Sequence, residues 1–566
     1  MRISLQTRVR RWAPVAIAVL GLAGCKGTEQ AATTAGPADI GGTMVISTAT
    51  DAGTMLPVLI GSNLDRQVTD LLYDRLADIS TELVTVGDRG FKPQLAQRWE
   101  WSRDSLSITF HLNPAARWHD GRPVRASDVR FSLGLVKNPA TGSAISSLVT
   151  NIDSVSIRDS LTVVAWFKMR TPEQFYELVY QIPVMPEHLL ANTPPGELKT
   201  SDVSRRGIGS GRFRLAKWAP GQRIELVADT ANYRGRPKLD RVVYSISPDA
   251  ASSVTRFFAG DADFHEQLRT DNLAQLAKDT VRRLMRYPNL QHAYLAFNLV
   301  DPANTSRPHP IFGDRAVRRA LSMAIDRRAM LRNVFDTLGQ LSYGPFPSKL
   351  PVADTTLPQL PYDTAAARML LDSAGWVMGP GAVRVKDGRR LEFGLTVPNS
   401  SAPRKAYSVL LQEAFRRIGA SVKIEEMDFP SFSAKQAAHG FDTEIAAYGS
   451  DPSVSGFKQA WSTEGMKPGG FNFPSYSNPA VDALLDSATV TFDFARTRTY
   501  ARRAFEMIME DAPGVWLYEP LTLGGIDRRV RVGDLRADGY WATMADWWIP
   551  ADKRSARDRI GLRPTP

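Results

Sequence analysis

Residues 93–133 read PQLAQRWEWSRDSLSITFHLNPAARWHDGRPVRASDVRFSL. Within this stretch, residues 105–112 alternate strictly: Leu106, Ile108, Phe110 and Leu112 take one face, Ser107, Thr109 and His111 the other. A period of two over eight residues predicts a half-buried strand. Further on, Val129, Leu133 and Val136 share one stripe, which predicts a helix from 128. Between strand and helix sit His119, Asp120 and Gly121. Two readings are open for them: a metal or acid–base pair, or a turn joining two pieces of scaffold.

The rest of the chain decides against catalysis. Its seven histidines form no H-E-x-x-H and no H-x₃-H pair, and its single cysteine cannot complete a zinc set. Residues 207–211, GIGSG, look like a phosphate loop, but they lack the G-K-[ST] ending and lead into the strand-like Arg212–Leu215 rather than a helix. A tight turn with unusual backbone angles is the simpler reading. No G-x-S-x-G elbow occurs, and no carboxylate pair stands out as an acid–base couple. No metal, no cofactor and no enzymatic activity are expected.

A chain of 566 residues holds more than one core, and two to four compact units are expected. Four arginines precede an apolar run from Ala13 to Leu22, followed by Leu22-Ala23-Gly24-Cys25. That is the layout of an export signal over residues 1–24, too short to span a bilayer. Leu22-Ala23-Gly24-Cys25 resembles the bacterial lipoprotein signal, which implies that Cys25 is lipidated and anchors the protein to the cell envelope without crossing it. Residues 25–42 have the small, polar composition of a flexible tether. The formal charge of +11 is scattered in pairs such as Arg205-Arg206 and Arg318-Arg319, so a nucleic-acid footprint is not expected.

Strand-like runs are expected at 43–47, 155–157, 162–167, 213–215, 224–227 and 242–246. Helical spacing occupies 64–76, 251–259, 314–335, 363–374, 404–418, 479–488 and 494–511. Gly260 and Gly419 stand where C-terminal helix caps are expected. The mixture predicts an α/β class.

With these elements in place, the opening stretch resembles the signature of family 5 extracytoplasmic solute-binding proteins, the peptide/nickel-type receptors of ATP-binding-cassette importers. The pattern is P-x-L-A-x-x-W, a t-F-x-L strand, then F-H-D-G-x-P-x-x-A-x-D-V-x-F-S. Trp118 replaces the usual Phe, and Arg125 stands where a capping Thr is usual, leaving Ser127 as the expected cap with Asp128 in the first turn. Further matches follow in order: Ile182 to Leu190, Gly209 to Phe213, Asn232 to Asp240, Phe258 to Asp263, Val317 to Arg327, Ala374 to Trp376 and Tyr476 to Pro479.

The resemblance implies a two-lobed periplasmic-binding-protein fold of the large, three-subdomain type with mixed sheets. Lobe 1 is expected at 43–62, 205–290 and 516–566, an inserted subdomain at 63–204, and lobe 2 at 291–515. It further implies a monomer that carries a peptide or peptide-like solute to a membrane permease of the ABC type. In peptide-binding members an aspartate in a W-x-x-D-Y-x-x-P segment meets the peptide's amino terminus. Counting back from Pro452 places Tyr448 there, with Asp451 three residues later. Arg404 is the nearest arginine for a carboxylate. Thr50 and Asp51 follow the first strand, where lobe 1 touches ligand, and Trp461, Phe471 and Phe473 offer rings for stacking. Modified peptides, sugar-like solutes and other small molecules stay open, as do an exported hydrolase and a sensor or chaperone built on the same scaffold.

Overall fold

A computed structural model describes residues 40–559 apart from 468. The expected leader, Cys25 and the tether up to residue 39 lie outside the described residues.

A single mixed sheet runs through the molecule. In chain order its main strands are β1 (Thr43–Thr48), β2 (Phe213–Ala219), β3 (Arg223–Ala228), β4 (Arg241–Ile246), β5 (Phe264–His265), β6 (Arg282–Pro288), β7 (Gln291–Phe297), β8 (Glu392–Pro398), β9 (Ser421–Met427), β10 (Thr443–Gly449) and β11 (Gly514–Asp527). Their lateral order is β9-β8-β10-β7-β11-β5-β1-β4-β3-β2, with β6 also against β11. The long β11 serves two neighbourhoods: Gly514 to Tyr518 pair with β7, whereas Leu521 to Asp527 pair with β6. Because β6 and β7 follow each other directly, the chain passes between the two halves twice, near 289–290 and near 519–520. Leu295, Leu321, Leu395 and Leu411, all fully buried, anchor one layer of the β7–β10 half. Met44, Leu226, Val242 and Phe264 anchor the half around β1.

A separate four-stranded sheet holds the opening stretch, in the order 96–101, 107–112, 162–167, 152–159. Ile108 and Phe110 are fully buried and His111 is not, as the alternation predicts. The helix α1 (Asn63–Leu72), expected within the same inserted span, packs instead on β2 and on residues 540–546. The Tyr540 hydroxyl donates to Gln67 (2.9 Å) and the Trp541 indole to Asp70 (2.9 Å). α1 therefore packs on the β1 half, and its Arg66 also donates to the Tyr180 hydroxyl of the expected inserted span (2.6 Å).

The helix after the strand, α2 (Ala126–Lys137), starts two residues before the expected position, with Arg125 as its cap residue. Asp128 rather than Ser127 closes its first turn. Its carboxylate accepts the Arg125 N–H (2.8 Å), the Glu187 N–H (2.9 Å) and the Trp118 indole N–H (3.2 Å). A short helix, α3 (Gln174–Val179), completes this region and buries Phe175 against Phe110.

His119 is a structural staple. Its Nδ1 accepts the Gly209 N–H (3.1 Å), its Nε2–H donates to the Gly211 carbonyl (3.0 Å), and its own N–H donates to the Gly209 carbonyl (2.8 Å). Burial holds the imidazole below its ordinary pKa, matching this neutral tautomer. The GIGSG loop needs its glycines for close approach more than for backbone angles: a Cβ on Gly209 would lie 1.8 Å from the Leu72 carbonyl oxygen, and only Gly207 has positive φ, +56°. His119→Ala is expected to lower unfolding free energy by about 2 kcal/mol, the worth of two hydrogen bonds. Solute affinity should stay within twofold. Urea unfolding and calorimetric titration check both halves of that statement.

The long helical run at 314–335 divides in two, Arg315–Met323 and Arg327–Phe335, because Asp326 turns its carboxylate onto the Ala329 N–H (2.9 Å) and starts a new helix. The expected glycine caps are present, with φ of +93° at Gly260 and +89° at Gly419.

Candidate functional site

The site is built where the β7–β10 half faces α3. In the β7–β10 register His292 lies opposite Tyr448 and Tyr294 opposite Ala446. Directly paired residues share a face, so His292, Tyr294 and Tyr448 form one aromatic surface. The helix α4 (Ala402–Arg416) brings Arg404 to its edge. Next, α5 (Phe429–Ala437) adds Phe429, Phe432 and Gln436, and α6 (Ser455–Trp461) adds Phe457 and Trp461. Across the cleft stand Leu148, Thr150, Tyr176 and Glu177. Together they enclose about 630 Å³, within the usual range of roughly 300–1,000 Å³ for small-molecule sites.

The walls are aromatic and the charges few. Trp461 is fully buried and packs on Tyr294 (5.5 Å between ring centroids) and Trp516 (5.3 Å). The Arg404 guanidinium lies over the Phe432 ring at 5.6 Å, and its Nη1 reaches only the Ile445 carbonyl, at 3.4 Å. Among the described residues no carboxylate lies within ion-pair distance of it, and burial lowers its pKa. At the other end, burial raises Asp451, while the Ser453 N–H and the Tyr176 hydroxyl pull it back down. Glu177 is pushed up to about 7, by burial first and the charge of Glu173 second. Further along the same β10 face, opposite Ala296, burial pushes Glu444 up to about 8; its Oε1 accepts from Gln436 at 2.6 Å.

Three contacts bridge the cleft, the first two of them next to the cavity. The Tyr176 hydroxyl meets both Asp451 oxygens, at 3.0 and 2.9 Å. The buried Glu173 carboxylate accepts from Thr85 (2.6 Å) on its own side. From the far side it accepts the Ser453 hydroxyl (2.6 Å) and the N–H groups of Val454 (2.7 Å) and Ser455 (3.2 Å). Arg170 lies 4.1 Å over the Phe492 ring. These contacts define a closed cleft.

Of the residues singled out in the sequence, Arg404, Tyr448, Asp451, Trp461, Phe471 and Phe473 all line this one cavity. Thr50 and Asp51 do not. Thr50 is exposed, and Asp51 accepts the Trp218 indole N–H (3.1 Å) and the Gly221 N–H (2.6 Å), which ties the β1 loop to the β2–β3 hairpin. Sequence reasoning passed over His292, Glu173 and Tyr176. His292 carried little signal, as the one imidazole in the largely apolar run of 291–297. Glu173 and Tyr176 carried none, since they matter only through partners about 280 residues away.

Among the described residues no group of three or more His, Cys, Asp or Glu side chains is placed to hold a metal ion, and no helix is long and apolar enough to cross a membrane. Two α/β lobes closing on an aromatic cavity are the architecture of a solute-binding receptor. The chain belongs to the bacterial extracellular solute-binding proteins, family 5, whose middle-region profile matches residues 90–467. It is 27% identical over 515 residues to Protein XP55 of Streptomyces lividans, covering 90% of each chain. It is 25% identical over 514 residues to the oligopeptide-binding protein AppA of Bacillus subtilis, covering 88% of this chain and 91% of that one. The structure of HbpA2 from Haemophilus parasuis superposes with a TM-score of 0.76 at 22% identity, over 90% of this chain and 99% of that one.

Proposed function

We propose that this chain binds a peptide or peptide-like solute between its lobes and hands it to an ABC-type permease, without chemical change to the solute. The observation that carries this reading is Arg404, a half-buried guanidinium in the cavity wall with no ion-pair partner among the described residues. A desolvated cation without a counter-charge is costly, and a solute carboxylate supplies one. The aromatic walls suit apolar side chains. Similarity to the oligopeptide-binding protein of B. subtilis supports the same solute class.

In this reading Cys25 carries the lipid that holds the receptor at the cell envelope, residues 26–42 are the tether, and the receptor acts as a monomer. The halves meeting at β11 are the two lobes, with the four-stranded sheet as the inserted subdomain.

The test is capture of a mixed library of dipeptides to pentapeptides, read by native mass spectrometry and by thermal stabilisation. Bound peptides should be recovered intact; hydrolysed products without any stabilising ligand would sink the reading. Arg404→Ala should weaken peptides with a free carboxylate about tenfold, or about 1.4 kcal/mol, and leave C-terminally amidated peptides unchanged. Equal losses for both would remove Arg404 from carboxylate binding.

A further inference from the structure

His292 lines the cavity, yet it is only 2% exposed, and neither ring nitrogen has a hydrogen-bond partner among the described residues. Its ring stacks on Tyr294 (5.8 Å, 19°) and meets Tyr448 edge-on (5.3 Å, 75°). The Tyr294 and Tyr448 hydroxyls pair at 3.0 Å. In such a pair one hydroxyl donates, and the proton of the other stays free. Three neutral groups thus sit together with one imidazole N–H, one imidazole lone pair and one hydroxyl proton unspent. Burial alone holds the imidazole down to about 3, so it is uncharged at any physiological pH.

Buried polar groups are nearly always paired, and an unpaired one costs stability. A phenylalanine would pack against the same tyrosines without that cost. What the imidazole adds is a donor and an acceptor just beneath the cavity surface, both covered in the closed form, which suit a group that both donates and accepts, such as an amide. It fits an ammonium poorly, because a buried cation needs a counter-charge. Of the two acids on the cavity wall, Asp451 is already engaged, taking the Tyr176 hydroxyl on both oxygens and the Ser453 N–H on one (2.9 Å), and Glu177 stands across the cleft on α3, not on the face that carries His292.

We propose that His292, with Tyr448, is a specificity-determining contact that reads a neutral amide, so that this cavity prefers peptides whose amino end is acylated over those with a free ammonium. The inference rests on the peptide reading above, and its test separates the two.

The wild-type chain is offered an equimolar mixture of tripeptides to pentapeptides, one half N-acetylated and the other free, and captured species are weighed by native mass spectrometry. Acetylated peptides should dominate by at least tenfold. His292→Phe should lose that preference and at least tenfold in capture, with an unchanged or higher melting temperature when ligand-free. His292→Gln, which keeps a donor and an acceptor, should stay within about threefold of wild type. Preferential capture of free-amine peptides, or wild-type behaviour by His292→Phe, overturns the assignment. Capture of no peptide of either kind overturns the peptide reading itself, and the assignment with it.

Discussion

Glu173→Ala is expected to weaken solute binding by 10- to 100-fold while each lobe stays folded. Glu173 precedes α3, on one side of the cleft, and its carboxylate gathers three donors from the 453–455 loop on the other. Hydrogen bonds to a charged group contribute about 1.5–3 kcal/mol each when well made, but part of this returns when the opened groups meet water. A net loss of about 1.4–2.7 kcal/mol in closure is therefore reasonable, and it corresponds to that range in affinity. The link from closure to affinity is population: if only the closed form grips the solute, apparent affinity falls with the closed fraction. Small-angle scattering should show a larger radius of gyration for the ligand-free variant than for wild type, and convergence of the two at saturating solute. Glu173→Gln should fall between, because one amide oxygen can replace only part of the set of acceptors. A variant with unchanged radius and unchanged affinity would show that these bonds decorate the cleft without holding it shut.

This latch illustrates what sequence could and could not reveal. Local periodicity was enough for the strand at 107–112, the helix at 126–137 and the glycine-capped helices ending at 259 and 416, because each is specified by neighbours within a few residues. The strands of the β7–β10 half were harder. β10 reads TEIAAYG and is buried along most of its length by layers on both faces, so it lacks the alternation that a one-sided strand shows. Residues gathered on one side of the cavity were partly visible, since 448–473 is a short span that carries Tyr448, Asp451, Trp461, Phe471 and Phe473 together. Asp51 follows the first strand, as its position in the sequence indicates, but its carboxylate is spent on Trp218 and Gly221, partners that only the folded β2–β3 hairpin brings near.

Glu444 sets a second large effect, in pH. Burial raises its pKa from 4.5 to about 8, against the opposing pull of the Gln436 hydrogen bond and the charges of Arg404 and Lys435. A carboxyl whose folded pKa exceeds its unfolded pKa binds more protons when folded, so its stabilising contribution is complete below about 4.5 and is lost as pH rises through about 8. Each unit is worth 1.36 kcal/mol, so wild type should lose up to about 3 kcal/mol of unfolding free energy between pH 5.5 and 8 from this group. Glu444→Gln keeps a neutral side chain of the same shape beside Gln436 and removes the titration. It should match wild type near pH 4.5 and exceed it increasingly towards pH 8.5 in urea unfolding. The cavity wall ties this to function: Gln436 lines the cavity and holds Glu444 behind it, so ionisation of Glu444 places an unpaired charge within reach of the Arg404 field. A solute carboxylate on Arg404 repels that charge and favours the protonated form. Binding of a free-carboxylate peptide should accordingly draw in a proton around and above pH 8 in the wild type, where Glu444 is still partly ionised in the free protein, seen as a buffer-dependent heat in calorimetry, and should draw none in Glu444→Gln. Equal proton uptake by both proteins would assign the coupling to another group.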